Sequence, residues 1–199
     1  MIDKNSTKEE VLDMVRQDVN ALQYVSIELR GDKNFVLTAV KQDGRALYYA
    51  SSQLRADRDV VMAAIKQNGC ALAYASWELR ADREVVMVTV KRNGYALQYA
   101  SDKLRGDKDL VMEAMRKTGH ALEYASDKLR GDKDVVMAAV KQCGLALEYA
   151  GEKLRADREV VFEAIKHWGG ALEYVSQELI IEMAQRGAES MRQEGENEQ

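Results

Sequence analysis

Proline is absent from all 199 residues. Because proline removes a helix hydrogen bond and clashes with the preceding turn, a chain without it is free to be helical nearly throughout. Cysteine is almost absent: Cys70 and Cys143 are the only two, too few for a disulfide framework. Histidine is equally sparse, with His120 and His167. No apolar run approaches the about 20 residues of a membrane span. The opening MIDKNSTKEE is polar and lacks the apolar stretch of a signal peptide. A large excess of positive charge is also missing, since the formal net charge is −4 with both signs interspersed. That balance counts against a phosphate-wrapping protein, which needs a Lys or Arg for each neutralised phosphate. These absences predict a soluble, cytoplasmic protein with no membrane segment and with nucleic acid disfavoured; export without a cleaved signal stays open.

What is present is a repeat. Leu29, Leu54, Leu79, Leu104, Leu129, Leu154 and Leu179 are each 25 positions apart. The same step relates Gly44, Gly69, Gly94, Gly119, Gly144 and Gly169, and also the tyrosines from Tyr24 to Tyr174. Seven units follow without insertion: 7–31, 32–56, 57–81, 82–106, 107–131, 132–156 and 157–181. Residues 1–6 read as a polar N-terminal tail, 182–191 as a C-terminal capping helix, and 192–199 as a disordered tail.

Each unit reads as two short helices. In 57–81, Asp57 is the expected N-cap, its carboxylate accepting from first-turn amides. Val60, Val61, Ala64 and Ile65 form an apolar face, and Lys66 suits the negative helix end. Gly69 is expected to end the helix in the left-handed conformation. A second helix then carries Ala71, Leu72, Tyr74, Ala75 and Leu79 inward, with the tyrosines forming a ladder along the core. Thr7 and Glu10 make a capping box in the first unit. Helices this short are marginal alone, so stability must come from stacking. The expected fold is an all-α solenoid, an α/α superhelix of seven helix-turn-helix repeats with helical caps.

On these residues the chain resembles the family named domain of unknown function 4116. The signature V-V-x-x-A-V-K-x-x-G-x-A-L-x-Y-A-S-x-x-L-R-x-D runs here from Val135 to Asp157, with Gly151 at the serine position. The resemblance covers most of 7–181 and implies no activity, cofactor or catalytic residue. A consensus-designed repeat is the alternative origin; irregularities at Val19, Gly151, Gly170 and Trp168 favour a natural one.

The recurring Arg-x-Asp, as in Arg80 and Asp82, predicts a charge ladder along one edge. Function is sought where the units differ. Positions 45, 48 and 52 and their equivalents have the i, i+3, i+7 spacing of one helix face. The candidate partner-binding residues there are Arg45, Tyr48, Trp77 and Tyr95 in the N-terminal half, and Glu123, Asp127, Glu148 and Glu152 in the C-terminal half. Exposed aromatics are typical interface anchors, and the carboxylates would steer a basic segment of a protein partner. A row from Lys41 to Lys166 is explained by helix dipoles before phosphates.

Catalysis is not expected. The glycines follow the repeat, and no phosphate loop, metalloprotease motif or nucleophile elbow is present. His120, Cys143 and His167 fall in three successive units, and helices packed about 8–10 Å apart cannot bring all three to one metal at about 2.0–2.3 Å. The reading is therefore a scaffold for protein–protein interaction with no cofactor. Self-assembly into homo-oligomers is the alternative, and single-stranded nucleic-acid binding a weaker third.

Overall fold

A computed structural model describes residues 7–186 of the chain. The expected tails at 1–6 and 192–199, and residues 187–191 of the expected capping helix, lie outside the described residues. The chain divides into two compact units, Met1–Lys117 and Thr118–Gln199. Each is an all-α stack of the same repeat, so the solenoid class is as the sequence predicts.

The repeat has three elements rather than two. A ten-residue α-helix comes first, Arg58–Gln67 in the third repeat; a six-residue 3-10 helix follows, Gly69–Tyr74; a four-residue α-helix closes it, Trp77–Arg80. Asp57 caps the long helix by accepting from the amides of Asp59 and Val60 at 3.0 and 3.2 Å. Val60, Val61, Ala64 and Ile65 are buried, as their spacing predicts. In the first repeat Thr7 and Glu10 form the expected capping box.

The expected second helix is broken after its sixth residue. Ala75 and Ser76 adopt extended conformations at this break. The freed amide is not wasted: Ser76 N–H donates to the Arg55 carbonyl of the preceding repeat at 2.8 Å. Ser51 and Ser101 make the same bond to Arg30 and Arg80 in the first unit, as Gly151 and Ser176 do to Arg130 and Arg155 in the second. A backbone amide withdrawn from its helix must find another acceptor. Here that acceptor is one repeat away, and it ties neighbouring repeats together.

The glycine also has a different reason from the one its place in the sequence suggests. No described glycine has positive φ. Asn68 ends the long helix with its N–H on Ala64 O and starts the 3-10 helix by accepting from Cys70 N–H. Glycine is needed instead for close approach. A Cβ on Gly44 would lie 2.5 Å from the carbonyl oxygen of Ala64 in the next repeat, and one on Gly144 would lie 2.3 Å from that of Ala164.

Long helices of successive repeats lie side by side within each unit, and the 3-10 helices line up beside them. Each unit's core holds the valines and alanines of its long helices with the fully buried leucines of its 3-10 helices, Leu47, Leu72 and Leu97 in the first unit and Leu122 and Leu147 in the second. Each such side chain contributes about 1.5–3 kcal/mol before conformational entropy is subtracted. The repeat tyrosines do not lie in this core. Tyr49, Tyr74, Tyr99, Tyr124, Tyr149 and Tyr174 are half-buried at its edge, and Tyr24 is exposed. A phenol has a hydroxyl to hydrate or bond, and Tyr49 donates its own to Asn20 Oδ1 at 2.9 Å.

The charge ladder exists with a different cation. Within each unit the residue after a capping Asp reaches the next repeat's cap: Lys33 to Asp57 at 2.7 Å, Arg58 to Asp82 at 2.5 Å and Arg83 to Asp107 at 2.7 Å in the first, and Lys133 to Asp157 at 2.9 Å in the second. Lys8 pairs with Asp32 in the same way. The arginine of Arg-x-Asp turns elsewhere, as Arg30 shows by donating to the carbonyls of Val25 and Gln23 at 2.9 and 2.8 Å.

Candidate functional site

In the first unit the variable positions divide between two elements. Arg45 and Tyr48 sit on the 3-10 helix Gly44–Tyr49, where residues three apart are eclipsed. Trp77 opens the short helix Trp77–Arg80, beyond the extended break. The expected single helix face is therefore two adjoining edges, because the chain changes direction between positions 48 and 52.

Trp77 is 70% exposed and Tyr48 58%. Tyr48 stands edge-on to Tyr49 and Tyr74, with ring centroids at 4.9 and 5.3 Å, so it bridges the second and third repeats. Tyr95 is 42% exposed, at the start of its 3-10 helix, with its amide on Asn93 Oδ1. Arg45 is occupied within its own repeat: its guanidinium grips Asp43 at 2.6–3.1 Å. The Asp43 carboxyl is held below the usual carboxylate range, first by that guanidinium.

Ile27 was missed by sequence reasoning. It is 81% exposed and occupies the same repeat position as Ser52 and Trp77. An isoleucine in an apolar repeat reads as core, and only comparison in register with Trp77 marks it as surface. Between the short helices of the first two repeats lies an open groove of about 410 Å³, lined by Ile27, Arg30, Tyr48, Tyr49, Ser51 and Arg55 among others.

In the second unit Glu123, Asp127, Glu148 and Glu152 are all exposed. Asp127 pairs with Arg130, three residues on. Glu148 and Glu123 lie near Tyr149, whose phenol is pushed up first by burial and then by these charges. A groove of about 590 Å³, at the place in the repeat equivalent to that of the first unit's groove, is lined by Glu152, Lys153, Arg155, Ser176 and Glu178. It has no aromatic lining. Aromatic side chains thus concentrate in the first unit's groove and carboxylates in the second's.

The lysines of the row, among them Lys41, Lys66 and Lys141, stand in the last turns of the long helices, where the dipole favours a cation, and the residues that follow the row reach the helix end of the preceding repeat. Arg92 Nη2 donates to the Lys66 carbonyl at 2.6 Å, and Gln67 Nε2 to the Gln42 carbonyl at 3.3 Å. Among the described residues, no three His, Cys, Asp or Glu side chains are placed to hold a metal ion. No described helix is long and apolar enough to cross a membrane.

A family model described as Domain of unknown function (DUF4116) matches residues 7–55, 32–80, 82–130 and 132–180. Each match spans two repeats, and the first two begin one repeat apart, which is the 25-residue periodicity seen again. No curated protein and no solved structure matches the chain. With its repeats matched almost end to end, the chain belongs to the DUF4116 repeat family.

Proposed function

We propose that the chain is a non-catalytic scaffold that binds a protein partner through the variable edges of its repeats, with Tyr48, Trp77 and Ile27 as the anchor. The observation that carries this reading is the exposure of Trp77, 70%, at a position that serine or a charged residue fills in most other repeats. A large aromatic in water contributes nothing to folding, whereas truncating a buried aromatic at an interface commonly costs 2 kcal/mol or more, by about the usual hot-spot scale. Tyr95 adds to this edge, and the second unit's Glu123, Asp127, Glu148 and Glu152 offer a separate acidic surface that favours a basic segment.

The test is affinity capture from a lysate of the cell that makes the protein, with a Tyr48→Ala, Trp77→Ala, Tyr95→Ala variant of unchanged helicity beside wild type. A partner held by wild type and lost by the variant is expected. Equal capture by both refutes the aromatic anchor.

A second reading, self-association, is favoured by the last repeat. Leu172 is 48% exposed although its six counterparts, Leu22 to Leu147, are buried, and an added Cβ on Gly169 would have no neighbour within 4 Å among the described residues. The first repeat, by contrast, places Glu10 where later ones bury valine, leucine or phenylalanine. A mass that rises with concentration, and no longer does so in Leu172→Glu, would support this reading; a constant monomer mass would remove it.

A further inference from the structure

The partner chemistry of the first unit is written in its arginines, and the inference rests on the scaffold reading above. In the later repeats the residue three before the arginine is acidic. Asp102 pairs with Arg105, and Asp127 with Arg130. Glu152 stands in the same relation to Arg155. In the first three repeats that position holds Ile27, Ser52 and Trp77, so Arg30, Arg55 and Arg80 lack the local carboxylate. Arg30 spends its donors on the carbonyls of Val25 and Gln23. Arg55 and Arg80 meet no carboxylate among the described residues; the Nε atom of each is buried without a hydrogen-bond partner, as it is in Arg105 and Arg155, so what sets Arg55 and Arg80 apart is the missing acidic residue three positions earlier.

A guanidinium whose stem is packed and whose Nε is shut from water is already partly desolvated and held in place. An incoming carboxylate on its terminal nitrogens then gains a charge-assisted bidentate pair at little further ordering cost. The carboxylates of the same short helices do not fill this role: among the described residues neither Glu28 nor Glu78 forms an ion pair with Arg55 or Arg80.

We propose that the short-helix edge of repeats one to three binds an extended acidic segment of a partner protein, whose carboxylates pair with Arg55 and Arg80 while its apolar side chains pack on Ile27, Tyr48 and Trp77. The spacing follows from the repeat. Stacked helices lie about 8–10 Å apart, and a chain extended as polyproline II advances about 3.1 Å per residue and returns to the same face every third residue. Carboxylates three residues apart therefore match arginines one repeat apart, with apolar residues between them to meet the aromatic edge. In the second unit Arg130 is paired with Asp127, Glu152 stands three residues before Arg155, and the groove has no aromatic lining.

The experiment uses the full chain and three fluorescein-labelled nine-residue peptides, read by anisotropy. One carries glutamate at every third position with leucine and threonine between; the second replaces glutamate by lysine; the third has the first peptide's composition with its glutamates adjacent. The spaced acidic peptide is expected to bind, more weakly as salt rises. Arg55→Gln with Arg80→Gln should weaken it at least tenfold, with Arg55→Lys and Arg80→Lys intermediate because charge survives and the fork does not. Trp77→Ala should weaken it by a similar factor, which keeps the test intact if the arginine variants lose helicity. The adjacent-glutamate peptide should bind more weakly than the spaced one. Failure of the spaced acidic peptide to bind, or equal binding by the glutamine variants, overturns the proposal. Binding of the lysine peptide that Trp77→Ala abolishes would overturn the acidic assignment while leaving the aromatic surface standing.

Discussion

Replacing Gly144 by alanine puts a methyl group 2.3 Å from the carbonyl oxygen of Ala164 and 3.0 Å from Cβ of Trp168. Both neighbours are rigid. The Ala164 carbonyl accepts the Trp168 amide at 2.9 Å where the long helix of the last repeat ends, and backbone cannot rotate away as a side chain can. The two repeats must separate or that bond must lengthen, and overpacking of this kind costs about 1–3 kcal/mol. For a chain of this size each kcal/mol moves Tm by about 2–4 °C. Gly169→Ala is the control within the same unit. It has the same place in the repeat but meets nothing within 4 Å among the described residues. There the methyl only restricts the unfolded chain, an effect of about 0.4–1 kcal/mol in the stabilising direction. Urea unfolding followed by helical circular dichroism should therefore shift the midpoint down for Gly144→Ala and leave it level or raised for Gly169→Ala. Equal destabilisation by both would show that glycine is required for backbone conformation and would refute the close-approach argument.

The same contrast applies to the core leucines. Leu147→Ala should cost about 2–5 kcal/mol, and Leu172→Ala, already half in water, well under half of that loss; equal midpoints in urea would contradict the exposed end. Acid sensitivity should come from the capping ladder. The Lys133 ammonium holds the Asp157 carboxyl below its ordinary range, against burial and with help from the Val160 and Glu159 amides. A carboxyl depressed in the folded state contributes stability above its unfolded value of about 3.9 and loses it as pH falls through the folded value. Asp157→Asn should accordingly lose less stability than wild type between neutral pH and pH 3, measured as urea midpoints; parallel losses would remove Asp157 from the account. Deletion of residues 32–56, one whole repeat within the first unit, should leave a folded helical protein, because each repeat meets only its neighbours. A molten or insoluble product would count against near-additive stacking.

Much of the fold was legible because its causes are local. Asp57 precedes an apolar-periodic run and caps it; Thr7 and Glu10 are three residues apart and close a capping box; Val60, Val61, Ala64 and Ile65 share a face on any helix. The tyrosines were harder to place. Tyr74 alternates with buried Ala71, Leu72 and Ala75, and only the packed structure leaves its ring half in solvent. The surface was legible in part. Tyr48, Trp77 and Tyr95 were visible as variable aromatics, but Ile27 was hidden by looking like core. Arg45 looked available in the sequence, and its grip on Asp43 appears only once the 3-10 helix folds both toward one point.

The sequence by itself determined the repeat, its register, the all-α class and the helix starts, since caps and apolar periodicity act within a few residues of one another. Tertiary structure alone decided where the second helix breaks and what the glycines are for. The break at Ala75 and Ser76 exists because the Ser76 amide finds the Arg55 carbonyl, 21 positions earlier in the chain. Gly44 is required because Ala64 of the next repeat presses on it. Neither partner lies in the segment it shapes, so no local pattern records it; stacking brings the groups together, and only the stacked chain shows the reason.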